Sequence, residues 1–362
     1  MAIAAGGTGG HLYPALAVYE VLRKAQPEVE VLWLCSRRAV DREVLRRAGV
    51  RRVVPLPTKP FPLRVGIHTL SSLVGLALST FVALFSLAQF RPQCLLSLGS
   101  HVGLPAGLAA RLLGIPLVVH EQNVLPGRAM RLLARLAHTV AISYPATIKL
   151  LPGGARRVEV TGTPVRREVE GIDRRRARRI LGLEEGEFLL LALGGSLGAR
   201  RINEAILGAW PSLKASIPGL KGVLVAGRWF EGLAKRDLEA KGLKVVRYAH
   251  DLPFLLAAAD LVVSRAGAST LAELAARGVA SILVPYPLAV GGHQRANALY
   301  FSRRGASVMV EDGLLTPSKL AEEVRELAFS PERRHNMGRA ARGIFVPGAA
   351  ERVAKIMLDF CR

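Results

Sequence analysis

Acidic residues are scarce in this 362-residue chain: 28 aspartates and glutamates face 50 lysines and arginines, most of them arginine, for a formal net charge of +22. An excess of that size implies an anionic partner, whether nucleic acid, a phosphorylated substrate or an anionic membrane surface. Aromatic residues are few, at 6%. The basic stretches carry neither interleaved aromatics nor helix-turn-helix spacing, which argues against nucleic acid. Cysteine is nearly absent, and Cys35, Cys94 and Cys361 form no CxxC pair. That pattern reads as reduced thiols in a cytosolic compartment, with no zinc site. Also missing are a GxGxxG dinucleotide pattern, a GxxxxGK[ST] phosphate loop, a DxD-like acidic pair in a likely cleft loop and a signal-peptide pattern ahead of the first glycine loop. These absences argue against a simple NAD enzyme, a P-loop NTPase and a metal site.

Half of the residues are hydrophobic, enough for a sizeable core, and the length favours two domains. Short apolar runs alternate with helix-period segments. The runs include "VEVLWLC" from Val29, "CLLSLG" from Cys94, "IPLVVH" from Ile115 and "VEVTG" from Val158. A second series comprises "EFLLLALGG" from Glu187, "GVLVAG" from Gly222, "KVVRYA" from Lys244, "DLVVSRAG" from Asp260 and "SILVPYP" from Ser281. Most are apolar on both faces, as buried parallel strands are. Alternating βαβ units predict an α/β protein of doubly wound parallel sheets.

The two halves echo each other. "GGTGGH" follows the first strand and leads into a helix with Val18, Val21, Leu22 and Ala25 on one face. "GGSLGAR" follows "EFLLLAL" and leads into a helix with Ile202, Ala205, Ile206 and Ala209 at the same spacing. The stretch from Gly162, "GTPVRREVEGIDRRRARRILGLEEGE", is rich in charge, Gly and Pro and reads as a linker. The expected division is residues 1–161, joined by the C-terminal helix 345–362, and residues 162–344. A glycine loop between strand and helix lets backbone N–H groups approach an anion, with the positive end of the helix dipole behind them. One such loop is equally well a tight βα turn; two, each opening a domain, point to anion binding.

"GGTGGHLYPALAV", "HEQN" from His120, "TGTPVR" from Thr161, "GGSLGAR" from Gly194, "SRAGASTLAEL" from Ser264 and "GGHQRANA" from Gly291 occur in this order over nearly the whole chain. Together they resemble the MurG family of bacterial glycosyltransferases. The resemblance implies a GT-B fold, two Rossmann-like doubly wound domains facing a central cleft. It implies an inverting, metal-free, cofactor-free transfer of N-acetylglucosamine from UDP-N-acetylglucosamine to an undecaprenyl-linked muramoyl-peptide acceptor. It also implies peripheral attachment to the anionic inner face of the cytoplasmic membrane. A diacylglycerol glycosyltransferase using a UDP-hexose shares the fold and the C-terminal motifs; the pairing of "GGTGGH" with "HEQN" speaks against it. A non-catalytic nucleotide sensor is the alternative outside enzymes.

The resemblance gives roles to particular residues. Glu273 accepts hydrogen bonds from the uridine ribose, or else only complements a helix dipole. Ala268, Ser269, Thr270, Leu271 and Ala272 line the nucleotide, and Ala249 lies where backbone groups read uracil. Gln294 and Asn297 either hold the donor sugar or cap a helix. Asn123 is a donor-sugar contact or an Asx turn before Pro126. Thr8, Gly9 and Gly10 face the donor and the acceptor diphosphate. Without a metal, the leaving UDP is neutralised by backbone N–H groups, helix dipoles and arginines, with Ser196 and Arg166 placed for it. His11, beside a helix N-terminus, either takes the proton of the attacking hydroxyl or donates to phosphate. The chain departs from the family at "LGSHVGLP" from Leu98, where a "GGY" loop is usual.

"LSSLVGLALSTFVALFSLAQF", residues 70–90, has no charge and is long enough to span a bilayer. Spanning would separate the glycine loop from "HEQN". The expectation is a helix packed partly on its own sheet, with Phe81 or Phe85 dipping into the membrane and Lys59, Arg64 and Arg91 near the head groups.

Overall fold

The computed structural model describes residues 1–58, 67–154, 156–194, 199–232, 239, 241–249 and 251–361. Contacts divide the chain into two compact units, Met1–Arg166 with Val346–Arg362, and Arg167–Phe345.

Among the described residues the first unit holds seven strands: β1 (Ala2–Ala4), β2 (Leu32–Ser36), β3 (Arg52–Leu56), β4 (Leu95–Ser97), β5 (Leu117–Glu121), β6 (Thr139–Ile142) and β7 (Arg157–Val160). They form one sheet in the order β3-β2-β1-β4-β5-β6-β7, every pairing parallel. Although β1 has only three residues, each is flanked on both sides, with Ile3 opposite Trp33 and Leu96. One face of the sheet is covered by α1 (Gly9–Ala25), α2 (Ala39–Arg47) and the C-terminal helix, and the other by α3 (Ile67–Phe90), α4 (Ser100–Leu112) and α5 (Arg128–Leu136). The thiols of Cys35 and Cys94 are free and buried, and burial pushes both up to about 12, so they are packing groups.

Helix α3 has a buried face and an exposed apolar one. Ser72, Ser79, Ala83 and Leu87 are buried, whereas Leu73, Val74, Leu78, Phe81 and Phe85 are exposed, the two phenylalanines at 66%. A fully buried core helix is thereby ruled out for this segment. Lys59 and Arg64 lie outside the described residues.

The second unit contains β8 (Phe188–Leu193), β9 (Leu220–Val225), β10 (Leu243–Val246), β11 (Leu261–Ser264), β12 (Ser281–Leu283) and β13 (Val308–Met309), in the parallel order β10-β9-β8-β11-β12-β13. All six residues of β8 are buried, which is why "FLLLAL" shows no alternation. Helix α8 (Arg200–Ser216) buries Ile202, Ala205, Ile206 and Ala209, the four positions read from the sequence. In α1 the corresponding stripe is less complete: Val18 and Leu22 are buried, but Ala25 is exposed.

The segment expected to be a linker is mostly not one. Residues 167–180 form two helices, α6 (Arg167–Gly171) and α7 (Arg174–Ile180), that belong to the second unit. Their charge is used locally. Arg174 and Arg178 pair with Asp260 at 2.7 and 3.2 Å, and Arg277 donates to the carbonyl of Val169. Composition suggested a linker, but a single carboxylate just before β11 anchors the run.

Each sheet changes direction of winding at its centre, between β1 and β4 in the first unit and between β8 and β11 in the second. The crevice outside the carboxyl ends of strands at such a point is where open α/β sheets bind ligands.

Candidate active site

The loop leaving β1 is held from three sides. Asp41 of α2, buried, accepts the Gly7 N–H at 2.6 Å and the Ser36 hydroxyl at 2.6 Å. Arg38 Nη1 donates to the Gly7 carbonyl at 2.5 Å. The third side is the His101 ring, packed so closely that a Cβ on Gly7 would stand 2.3 Å from its Cε1; Gly7 also has φ of +84°, so only glycine fits. Burial, then the nearby Arg38 charge, lowers the His101 pKa, opposed by Asp41.

This scaffold aims α1. Thr8 is the N-cap, and Gly9, Gly10 and His11 are the first three helical residues. The N–H groups of Gly9 and Gly10 precede any intrahelical acceptor, so they project from the helix end with the dipole behind them. Thr8 Oγ1 lies 2.8 Å from His11 Nδ1. When Nδ1 carries the ring proton and donates to Thr8, Nε2 carries the lone pair and is a base. Arg166, the last residue of the unit's first segment, lies with its guanidinium 4.8 Å from the Tyr13 ring centroid. Tyr13 in turn lies against Gly9. The arginine's charge therefore stands beside the first turn of α1.

At the end of β5 the motif "HEQN" divides its labour. His120 is buried and its Nε2 lies 2.8 Å from the Gly162 carbonyl; burial pushes its ring down to about 4, so it stays neutral. Gly162 has φ of +79°, and Val346 occupies the space a side chain would need. The two places where the chain leaves and re-enters this unit thus touch at a glycine that His120 holds. Glu121 is buried too, and burial pushes its carboxyl up to about 7 against the lowering effect of bonds from Asn123 and Gly127. Asn123 is half-buried in the following loop.

In the second unit, β11 runs into Arg265–Gly267 and α10 (Ala268–Arg277, after α9 at Leu252–Ala258). Gly267 is the N-cap, so the first-turn N–H groups of Ala268, Ser269 and Thr270 open toward the carboxyl edge. Glu273 is 7% exposed. Leu271 is wholly buried and its N–H is taken by Gly267, and Ala272 is buried, so the two support this turn and present no side chain at its surface. Arg265 braces the loop by pairing with Asp312 at 2.5 Å and donating to the Val284 carbonyl at 3.2 Å.

Gln294 and Asn297 lie on α11 (His293–Ser302). Gln294 Oε1 accepts the Tyr286 N–H at 3.0 Å, which turns its NH2 group outward as a donor. Asn297 is fully buried, and its amide donates to the Ala266 carbonyl at 3.1 Å. It braces the loop between β11 and α10 from behind. Ala249 follows β10 at the carboxyl edge. Ser196 lies outside the described residues.

Residues 1–142 match the glycosyltransferase family 28 N-terminal domain, and residues 189–353 the glycosyltransferase family 28 C-terminal domain. Two relatives, from Nitrosococcus oceani and Moorella thermoacetica, carry the name UDP-N-acetylglucosamine--N-acetylmuramyl-(pentapeptide) pyrophosphoryl-undecaprenol N-acetylglucosamine transferase. The first is 40% identical, covering 99% of this chain and 97% of that protein. The second is 38% identical, covering 98% and 97%. The crystal structure of Acinetobacter baumannii MurG is 28% identical, with a TM-score of 0.75 over 99% of both chains.

The chain belongs to the MurG family.

Its two Rossmann-like units are those of the GT-B fold, as the family's solved structure shows. Of the residues assigned by resemblance to the family, Thr8, Gly9, Gly10, His11, Asn123 and Arg166 stand at the carboxyl edge of the first sheet. Ala249, Ala268, Ser269, Thr270, Glu273 and Gln294 stand at or just beyond that edge of the second. Four side chains that build these sites had no assigned role in the sequence reading: Asp41, His101, Tyr13 and Glu121. Asp41 hides on the apolar side of an amphipathic helix, and its only signal is a carboxylate at a buried position.

Proposed function

We propose that this chain transfers N-acetylglucosamine from UDP-N-acetylglucosamine to the C4 hydroxyl of the muramoyl sugar of undecaprenyl-pyrophosphoryl-MurNAc-pentapeptide, with inversion at the anomeric carbon. The observation that carries this reading is the near full-length similarity to transferases of that name. In the proposed step the acceptor hydroxyl attacks the anomeric carbon from the face opposite UDP. The new C–O bond forms as the bond to UDP breaks, and the hydroxyl proton passes to His11 Nε2. Charge developing on UDP meets the α10 amides of Ala268–Thr270, Ser196 and Arg166. Glu273 holds the ribose, Ala249 offers backbone groups to uracil, and Gln294 and Asn123 hold the sugar. Thr8, Gly9 and Gly10 face the diphosphates.

The test is UDP release from UDP-N-acetylglucosamine. Release is expected only with a lipid-linked muramoyl acceptor present. Release with diacylglycerol and a UDP-hexose instead would assign the chain to the alternative enzyme class, and no release with any acceptor would favour a sensor.

We also read the protein as peripheral on the anionic cytoplasmic face of the membrane, where its acceptor is anchored. Leu73, Val74, Leu78, Phe81 and Phe85 make one exposed apolar stripe on α3, and Leu112 at the end of the neighbouring α4 is exposed as well. Arg91 follows α3, and the Arg52 guanidinium lies 5.4 Å from the Phe90 ring centroid, supplying cations at the rim. Replacing Phe81 and Phe85 together with serine is expected to weaken binding to anionic vesicles by roughly tenfold or more, from the apolar area two rings bury. Activity on a soluble short-chain acceptor is expected to persist. Co-sedimentation equal to that of the parent would place the docking surface elsewhere.

A further inference from the structure

A fully buried carboxylate lies two residues from the amide read above as a sugar contact. Glu121 is 3% exposed. Its Oε1 accepts both the backbone N–H of Asn123 at 2.8 Å and the side-chain Nδ2 of Asn123 at 3.0 Å. Its Oε2 accepts the Gly127 N–H at 3.4 Å. The far side of the turn is pinned by Thr147, whose hydroxyl donates to the carbonyls of Asn123 at 3.3 Å and Val124 at 3.0 Å. The Glu121 carbonyl accepts from both the N–H and the hydroxyl of Ser143, each at 3.0 Å, so the carboxylate's own backbone is anchored as well.

This arrangement decides which end of the Asn123 amide faces which way. Oε1 takes both N–H donors of Asn123, backbone and side chain, and once ionised the carboxylate only accepts, so the amide turns its NH2 group inward. With the carboxylate ionised, rotating the amide by half a turn would set Oδ1 against Oε1, two acceptors with no proton between them. Burying a carboxylate is costly, and here the return is a single amide orientation.

We propose that Glu121 is a positioning residue for the donor sugar: it fixes Asn123 with Oδ1 as the outward acceptor, so that Asn123 takes a hydrogen bond from a sugar hydroxyl or from the acetamido N–H. The inference rests on the reading of Asn123 as a sugar contact. Glu121 itself touches no ligand. Its contribution falls on the sugar and spares the nucleotide, which separates it from a general role in holding the first unit together.

The experiment measures the affinity of the full chain for UDP-N-acetylglucosamine and for UDP, in parallel, for Glu121→Met, Glu121→Gln, Asn123→Ala and the Glu121→Met/Asn123→Ala double variant. Glu121→Met is expected to weaken the sugar nucleotide about three- to tenfold, the range of one neutral hydrogen bond, and to leave UDP unchanged. Glu121→Gln keeps one oxygen for Asn123 and is expected to restore most of the loss. The double variant is expected to bind no worse than Asn123→Ala alone, because Glu121 acts through Asn123. Equal weakening of UDP and the sugar nucleotide, or additive losses in the double variant, would overturn the proposal. Asn123→Ala with unchanged affinity would refute the sugar contact itself. Asn123→Ala weakened beside an unaffected Glu121→Met would refute only the role of Glu121. Should Glu121→Met not fold, Asn123→Asp carries the test, since it sets a second carboxylate against Glu121. The same sugar-selective loss is expected there, and parental affinity would sink the idea.

Discussion

His11→Ala is expected to lower kcat by about 10²–10⁴-fold, the usual contribution of a positioned general base, and to change donor KM far less. His11 is the third residue of α1, in its first turn. Thr8 Oγ1, 2.8 Å from Nδ1, orients the ring and can hold its proton on that side. The competing role, donation of a hydrogen bond to phosphate, would load the loss onto KM instead. The pH–rate profile separates the two: the acidic limb of the parent is expected to vanish in the variant. An acidic limb that persists unchanged excludes His11 as the base.

The second large effect is expected at Glu273. Removing a carboxylate that accepts from ribose hydroxyls costs roughly 1.5–3 kcal/mol per bond, so Glu273→Ala should weaken donor binding on the order of ten- to a hundredfold. The rival explanation, that Glu273 only complements the dipole of α10, loses force on the structure. Glu273 is the sixth residue of that helix, past the first turn within which the dipole acts, and it is nearly buried. Measured donor KM is the check. A folded variant with the parental value would remove Glu273 from the ribose.

The central strands were legible because burial on both faces leaves a short apolar run, as in β5, β8 and β11. The strands that escaped notice have physical reasons to be faint. β3, "RVVPL", is an edge strand half-open to solvent, and an edge is where a residue such as Pro55 is tolerated. β13 is two residues long, also at an edge. β6, "TVAI", is buried, but only Ala137 and His138 separate it from α5, and a run of four residues so close to a helix leaves little room for its own signal. At the sites, the glycine loops and motif residues were readable from their order along the chain. What holds them was not. Glu121 stood inside a recognised motif, yet its role depends on where the Asn123 amide turns. Asp41 and His101 reach the Gly7 loop only because β1, β2 and β4 are neighbours in the sheet. The linker failed for a similar reason, since only the fold reveals Asp260 waiting for Arg174 and Arg178.

The C-terminal helix α14 (Ala349–Leu358, after α12 at Pro317–Ala328 and α13 at Pro331–Ile344) packs on α1, and Val353, Ala354 and Met357 are part of the core that β1 and α1 share. This sets an order of assembly at the ribosome. The second unit is continuous, so it can close as soon as residue 345 has emerged, whereas the first must hold its core open until the chain's last helix arrives. At about 5–20 residues per second, synthesis of the intervening 167–345 segment leaves the face of α1 that α14 packs against without its final cover for roughly ten to forty seconds. During that interval the nascent chain exposes both this face and the α3 stripe, which makes its earliest half the part most in need of a chaperone or a nearby bilayer.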